Sequence, residues 1–248
     1  MSVDVKIVPD SAALAQAAAR EFRRTAEAAV KERGRFSVAL SGGNTPRTVY
    51  SLLAAEHKQL PWNQIHLFFG DERHVPPDDP DSNFRMATES LISKVPIPQE
   101  NVHRIRAEME AEAAAREYEQ TLRGFFQLVD HDWPRFDFIF LGLGDDGHTA
   151  SLFPGSKALT DASQSVTANW VEKLKTFRIT LTFPVLNNAA EVVFMVSGGG
   201  KAQILREVLR PGILKYPAQG VRPENGRLLW IADQDAGRLL RFSAPPTP

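Results

Sequence analysis

Residues 137–156 read Asp-Phe-Ile-Phe-Leu-Gly-Leu-Gly-Asp-Asp-Gly-His-Thr-Ala-Ser-Leu-Phe-Pro-Gly-Ser. The run from Phe136 to Leu141 is short, mostly apolar and rich in Phe and Ile, the pattern of a buried strand. It stops at Gly142, Gly144 and Gly147, and glycine permits the positive φ of a tight turn and a close backbone approach to a ligand. Into that turn the chain places Asp145, Asp146 and His148. A buried strand ending in a turn that carries carboxylates and an imidazole is a usual place for chemistry.

Other strands end the same way. Phe36–Leu40 runs into Ser41-Gly42-Gly43-Asn44-Thr45-Pro46, where the proline suits the first turn of a helix carrying Val49, Leu52 and Leu53. Glycines and hydroxyls between a strand and a helix N-terminus make an anion site, phosphate above all, or a plain tight turn with a capping threonine. Ile65–Phe69 runs into Gly70-Asp71-Glu72-Arg73-His74. Four ionisable groups directly after a buried strand are costly unless paired or used. They read either as part of a site or as a surface loop with an Asp–Arg pair. A strand from Glu191 to Ser197 runs into Gly198-Gly199-Gly200-Lys201, with a helix from there to Leu209.

Around these units the chain keeps alternating. Val3–Val8 reads as a strand, followed by a helix capped by Asp10 or Ser11 and ended by Gly34. Ser82 caps a further helix, Glu108–Val129 forms an amphipathic one, Trp170-Val171 and Arg178–Phe183 read as strands, and Leu228–Ala232 with Asp233–Leu240 makes a final strand and helix. Alternation without an internal repeat or long linker predicts an α/β fold: a mainly parallel, Rossmann-like doubly wound sheet with helices on both faces. Residues 1–242 are expected to form a single catalytic domain, and 243–248 a frayed tail. The four glycine-rich turns, after Leu40, Phe69, Leu141 and Val196, all follow carboxyl ends of strands, which share one edge of such a sheet.

Composition narrows the function. The 248 residues carry a net charge of −1, so no global field collects nucleic acid or anionic membrane, and any anion site is local. The absence of cysteine excludes disulfides, thiol nucleophiles and thiolate zinc sites. No apolar run approaches membrane-spanning length and no signal-peptide core is visible at the N-terminus, so a cytoplasmic location is the default expectation. The acids of Asp78-Asp79-Pro80-Asp81 are broken by proline and fit no metal cage.

Two motif matches mislead. Gly142-x-Gly144-x-x-Gly147 is literally a dinucleotide fingerprint, and Asp161 lies near the distance of a ribose ligand. Asp145 and Asp146, however, would repel a pyrophosphate, Pro154 cuts short the helix that should receive it, and Asp161 sits in a polar stretch. Ser197–Lys201 fails as a nucleotide P-loop because Met195 replaces the first glycine and Ala202 the hydroxyl, although Lys201 at a helix N-terminus still suits a phosphate.

Ser41-Gly-Gly-Asn-Thr-Pro46, Gly70-Asp-Glu-Arg73, Ser82-Asn83, Gly142-x-Gly-x-Asp-Gly-His-Thr-Ala-Ser-Leu-Phe-Pro154, Ser197–Lys201 and Trp230-Ile-Ala-Asp233 together resemble the 6-phosphogluconolactonase family over nearly the whole chain. The resemblance implies hydrolysis of 6-phospho-D-glucono-1,5-lactone, a small sugar-phosphate lactone, with no required metal; no cofactor is expected, and composition already argues against nucleic-acid or membrane partners. It also implies a fold shared with glucosamine-6-phosphate deaminase and ribose-5-phosphate isomerase. His148 is then the expected general base, with Asp146 or Asp71 orienting it and Arg73 facing the lactone. Ser41, Gly42, Gly43, Thr45, Arg178 and Lys201 are the expected phosphate ligands. Deaminase or isomerase chemistry, and a non-enzymatic sugar-phosphate sensor, are the alternatives. Against the first, the stretch after His148, Thr149-Ala-Ser-Leu-Phe153, lacks the glutamate that deaminases resembling this chain carry.

Overall fold

The computed structural model describes residues 3–210, 212 and 214–240. Six strands form a parallel sheet: β1 (Val3–Val8), β2 (Phe36–Leu40), β3 (Ile65–Phe69), β5 (Phe138–Gly142), β8 (Glu191–Val196) and β9 (Arg227–Asp233), in the spatial order β1-β9-β8-β5-β2-β3. Every residue of β2 and β8 is buried, so both faces at the sheet centre are covered, as parallel sheets require. The helices are α1 (Ser11–Arg33), α2 (Asn44–Glu56), α3 (Asn83–Ser90), α4 (Ala111–Phe126), α5 (Phe183–Asn188), α6 (Ala202–Leu209) and α7 (Gln234–Gly237). The doubly wound α/β reading holds.

A second sheet was legible only in part: the expected strands Trp170-Val171 and Arg178–Phe183 fall on two of its members, but their pairing was not foreseen. β4 (Asp71–Arg73), β6 (Val166–Val171) and β7 (Thr176–Leu181) pair antiparallel in the order β4-β7-β6. Gly70 is the junction: its N–H donates to Leu40 of the parallel sheet, and its carbonyl accepts from Leu181 of the antiparallel one. The stretch expected as a charged loop after Phe69 is therefore half strand. Its three residues are too few, and too polar, to show a period of two.

Several boundaries moved for local reasons. The helix expected over Glu108–Val129 is trimmed to Ala111–Phe126, because the Glu110 carboxylate accepts the Glu112 and Ala113 amides and Gln127 turns left-handed at φ 52°. Phe183, expected to end a strand, instead opens α5, where Pro184 suits the first turn. Asp233 ends β9 and caps α7, which stops at Gly237, short of Leu240. The tail expected at 243–248 lies outside the described residues.

β8, β5, β2 and β3 are consecutive neighbours, and they are the four strands that end in glycine-rich turns. Their parallel direction sets those turns side by side on one edge. From β2 the chain first steps outward to β3 and later returns to β5 on the other side of β2. Such a reversal opens a crevice at the carboxyl edge, between the Ser41 turn and the Gly142 turn.

Candidate active site

Two tyrosines fix the crevice walls. The Tyr50 hydroxyl of α2 accepts from the Ser41 amide at 2.9 Å and donates to the Ser41 carbonyl at 2.9 Å. The Tyr118 hydroxyl of α4 does the same at Phe69, at 2.8 and 3.0 Å. Burial pushes both phenols up, so they stay protonated and keep donating. The carboxyl ends of β2 and β3 are thereby anchored to helices.

The cavity between the turns holds about 390 Å³, within the roughly 300–1,000 Å³ common for small-molecule sites. His148 stands on its wall. The His148 ring stacks on Phe153 with centroids 4.1 Å apart, and its Nδ1 lies 2.5 Å from Asp146 Oδ1. Asp146 also accepts the His148 amide at 3.1 Å and the ammonium of Lys173. Partial burial raises the Asp146 carboxyl, but the hydrogen bonds from Lys173 and from the His148 ring and amide outweigh it and hold the group down at about 2. An ionised Asp146 selects the tautomer with hydrogen on Nδ1, which leaves the Nε2 lone pair for chemistry. Gly144 makes room for the ring: a Cβ there would lie 2.0 Å from His148 Nδ1.

Elsewhere on the cavity lining, antiparallel pairing sets Arg73 of β4 directly against Arg178 of β7. Arg73 donates to the Asp81 carbonyl and Arg178 to the Phe177 carbonyl, at 3.1 Å. Among the described residues neither makes an ion pair. Burial first, and then the neighbouring Arg73 charge, pull the Arg178 guanidinium down. Two adjacent cations that make no ion pair can receive an anion.

Asp71 does not touch His148. Ser151 donates to its Oδ2 at 2.6 Å, and Asn83 Nδ2 lies 3.5 Å from its Oδ1 and 3.0 Å from its carbonyl. Glu72 is structural: its carboxylate accepts the amides of Arg73, Asn83 and Phe84 and the Ser82 hydroxyl, capping α3. His74 faces the Met109 carbonyl instead of the cavity.

Ser41, Gly42, Asp71, Arg73, His148, Arg178 and Lys201 all line the one cavity. Gly43 and Thr45, expected as phosphate ligands, are not among its lining residues. Gly43 caps α2 at φ 112°, and Thr45 already lies inside the helix as it turns away. Asp146 stands behind His148. Lys201 is paired with Asp145, whose side chain is 87% exposed. The Lys201 loop is braced by Asp233, which accepts from the Ser197 hydroxyl and from the Gly198 amide at 2.9 Å.

Sequence reasoning gave no role to Asn83, Ser151, Phe153 or Lys173, although the first three lie in the motifs that carry the family resemblance. The Ser82-Asn83 pair was visible as a helix start, yet nothing local signals that the Asn83 side chain turns back to pack against Gly42, where a Cβ would lie 1.8 Å from its Oδ1. Lys173 comes from the β6–β7 turn, in a stretch without a motif. Ser41 Oγ and Asn83 Oδ1 are buried and have no hydrogen-bond partner. Both belong to cavity-lining residues, so the wall presents spare polar valences to a ligand.

Glycine turns on one edge of a parallel α/β sheet, with cations and an imidazole lining one cavity, mark a protein of the sugar isomerase and lactonase class. The model of the glucosamine-6-phosphate isomerases/6-phosphogluconolactonase family matches residues 9–230, and the chain belongs to that family. A 6-phosphogluconolactonase of a Synechocystis species is 46% identical over 86% of this chain and 88% of its own length. Another, of a Nostoc species, is 40% identical over 97% and 99%. The crystal structure of the 6-phosphogluconolactonase of Thermotoga maritima, 33% identical, covers 94% of this chain and 100% of its own, with a TM-score of 0.82.

Proposed function

We propose that the chain hydrolyses 6-phospho-D-glucono-1,5-lactone to 6-phospho-D-gluconate, the second step of the oxidative pentose phosphate pathway, as a cytoplasmic enzyme whose residues 1–242 act as one catalytic domain. The observation that carries the reading is His148, backed by Asp146, on the same cavity as Arg73 and Arg178, which make no ion pair among the described residues. His148 Nε2 takes a proton from water as the water oxygen attacks the lactone carbonyl carbon. The carbonyl π pair moves onto oxygen, and Arg73 stabilises that developing oxyanion. The oxyanion collapses, the bond from carbon to the ring oxygen breaks, and His148 returns its proton to that oxygen.

The phosphate, remote from the reacting carbon, orients the lactone. Its proposed ligands are the Ser41 hydroxyl, Gly42 with the free first-turn amides of α2, Arg178 and Lys201. Gly43 and Thr45 contribute at most through those amides. The reading calls on no metal, and among the described residues no cluster of three or more His, Cys, Asp or Glu is placed to hold one. No helix of the described chain is long and apolar enough to cross a membrane.

The test is proton release from freshly prepared lactone, with the uncatalysed rate subtracted, and glucosamine 6-phosphate in a parallel assay for ammonia. Lactone hydrolysis well above background, without ammonia, is expected. Ammonia release, or binding of 6-phosphogluconate without any turnover, would sink the lactonase reading in favour of a deaminase or a sensor.

A further inference from the structure

Asp146 has two carboxylate oxygens, and they face different partners. Oδ1 receives His148, and Oδ2 receives Lys173. Lys173 belongs to neither strand nor loop of the His148 turn. It reaches over from the short helical turn Glu172–Leu174 between β6 and β7. Its ammonium also lies 4.7 Å from the centroid of Phe153, the ring on which His148 stacks. One lysine therefore touches both groups that hold the imidazole.

The turn that carries Lys173 is braced. Glu172 accepts from the Trp170 indole at 2.8 Å and from the Lys175 ammonium, while Lys175 takes φ 50° to close the turn. Lys173 itself is half exposed, so folding does not require it. A lone Asp146, nearly a third exposed, is free to swing its carboxylate into water and leave Nδ1 unsupported. With Lys173 on Oδ2 and His148 on Oδ1 both oxygens are committed, and the carboxylate plane is fixed.

We propose that Lys173 is a positioning residue for the hydrolysis: it clamps Asp146, and through Asp146 and Phe153 it aims the His148 ring at the reacting carbon. The inference rests on the lactonase reading given above. Its second consequence is electrostatic. Beside the imidazole stand Asp146 and Lys173, and the other cavity walls carry Asp71, Arg73, Asp145, Arg178 and Lys201. Lys173 is the cation in direct contact with the carboxylate that pairs with the ring. Its positive charge partly neutralises the carboxylate charge that faces the ring.

Lys173→Met keeps the length and loses the charge. It is expected to lower kcat on the lactone about tenfold, leave KM within about twofold, and move the acid limb of the kcat/KM profile upward by about half a pH unit to one unit. Lys173→Arg is expected to recover most of the turnover and the wild-type profile. A thermal melt within a few degrees of wild type would confirm that the variant is folded.

Three results overturn the role. A higher KM with unchanged kcat makes Lys173 a substrate ligand. A lower kcat with an unmoved pH profile and no recovery by arginine makes it a packing residue. Kinetics identical to wild type remove it from the reaction. A wild-type chain that does not hydrolyse the lactone overturns the underlying reading as well, which separates that failure from the others.

Discussion

β3 carries an imidazole cluster near its first residue and leads into the active site after its last. At the first end, His66 Nδ1 and His103 Nε2 lie 3.3 Å apart. Phe68 stacks on His103 at 4.3 Å, Phe125 sits 4.7 Å from His66, and the Arg35 guanidinium lies over Phe125. Among the described residues no carboxylate pairs with either ring there. Burial, then the His66 neighbour, pushes His103 down to about 4, and burial with the Arg35 charge lowers His66. At the other end, His148 has the same ring on a similar aromatic platform, but with Asp146 on Nδ1 and a cavity beyond it. An aromatic floor is common to both. The carboxylate and the spare polar valences turn one imidazole toward chemistry, and their absence leaves the other pair neutral and structural.

The largest test of that contrast is His148→Asn. General base catalysis contributes about 10²–10⁴-fold, so turnover on the lactone is expected to fall by that order. Binding of 6-phosphogluconate, measured by calorimetry, is expected to survive, and so is the melting temperature. A variant with wild-type turnover and an unchanged pH–rate profile would remove His148 from the mechanism.

Next comes Lys201→Ala. A charge-assisted hydrogen bond to a phosphate is worth about 1.5–3 kcal/mol, which corresponds to a rise in KM of roughly 10–150-fold. Release of Asp145 from its pair places the expected value toward the low end. Steady-state kinetics decide it: kinetic constants both equal to wild type would take Lys201 out of the phosphate site.

His103 belongs to stability, and the sign follows from its lowered titration. The unfolded chain binds a proton near pH 6.5 and the folded one only near 4. Stability from this group is therefore complete above about pH 6.5 and is lost as pH falls toward 4. Solvent screening at this half-buried site keeps the loss below the full ~1.36 kcal/mol per pH unit of one proton. His103→Phe is expected to flatten the acid-side fall in melting temperature without changing turnover at neutral pH. His66 retains part of the slope. An unchanged slope in a pH series of melts would count against the buried-pair account.

The two regions also differ in how far the sequence revealed them. The parallel sheet was legible because its strands are short, mostly apolar runs, four of the six ending in glycine turns, and the capping of α1 by Asp10 and Gly34 followed from local chemistry. His148, Arg73, Ser41 and Lys201 stood out because ionisable or hydroxyl groups after a buried strand are costly without a use. The pairing of the antiparallel sheet was hidden, since β4 is three charged residues whose pairing with β7 spans more than a hundred positions. The Arg73–Arg178 juxtaposition depends on that pairing and was hidden with it. Asn83, Ser151 and Lys173 act through side-chain contacts across distant segments, which no local period or spacing encodes. The His66–His103 pair is of the same kind, joined only when the chain at Val102 bridges onto Leu67.

Asp145 gives the smallest expected effect and sharpens the contrast within the polar end itself. Its carboxylate, almost fully exposed, pairs with Lys201, while its neighbour Asp146 is held by Lys173 and His148. If Lys201 holds the substrate phosphate as proposed, an anion resting on it competes for the same ammonium. Exposed ion pairs are worth about 0.2–1 kcal/mol, so removing this one is expected to tighten phosphate binding by about 1.4–5-fold. Asp145→Asn is therefore expected to lower KM for the lactone by that factor and to lower the inhibition constant of 6-phosphogluconate in parallel. Turnover is expected to stay the same, because Asp145 touches neither His148 nor Arg73. The gain is expected to shrink in high salt, where the competing pair is already screened. A rise in KM would show instead that Asp145 binds the sugar, and the two adjacent carboxylates would then face substrate and base respectively.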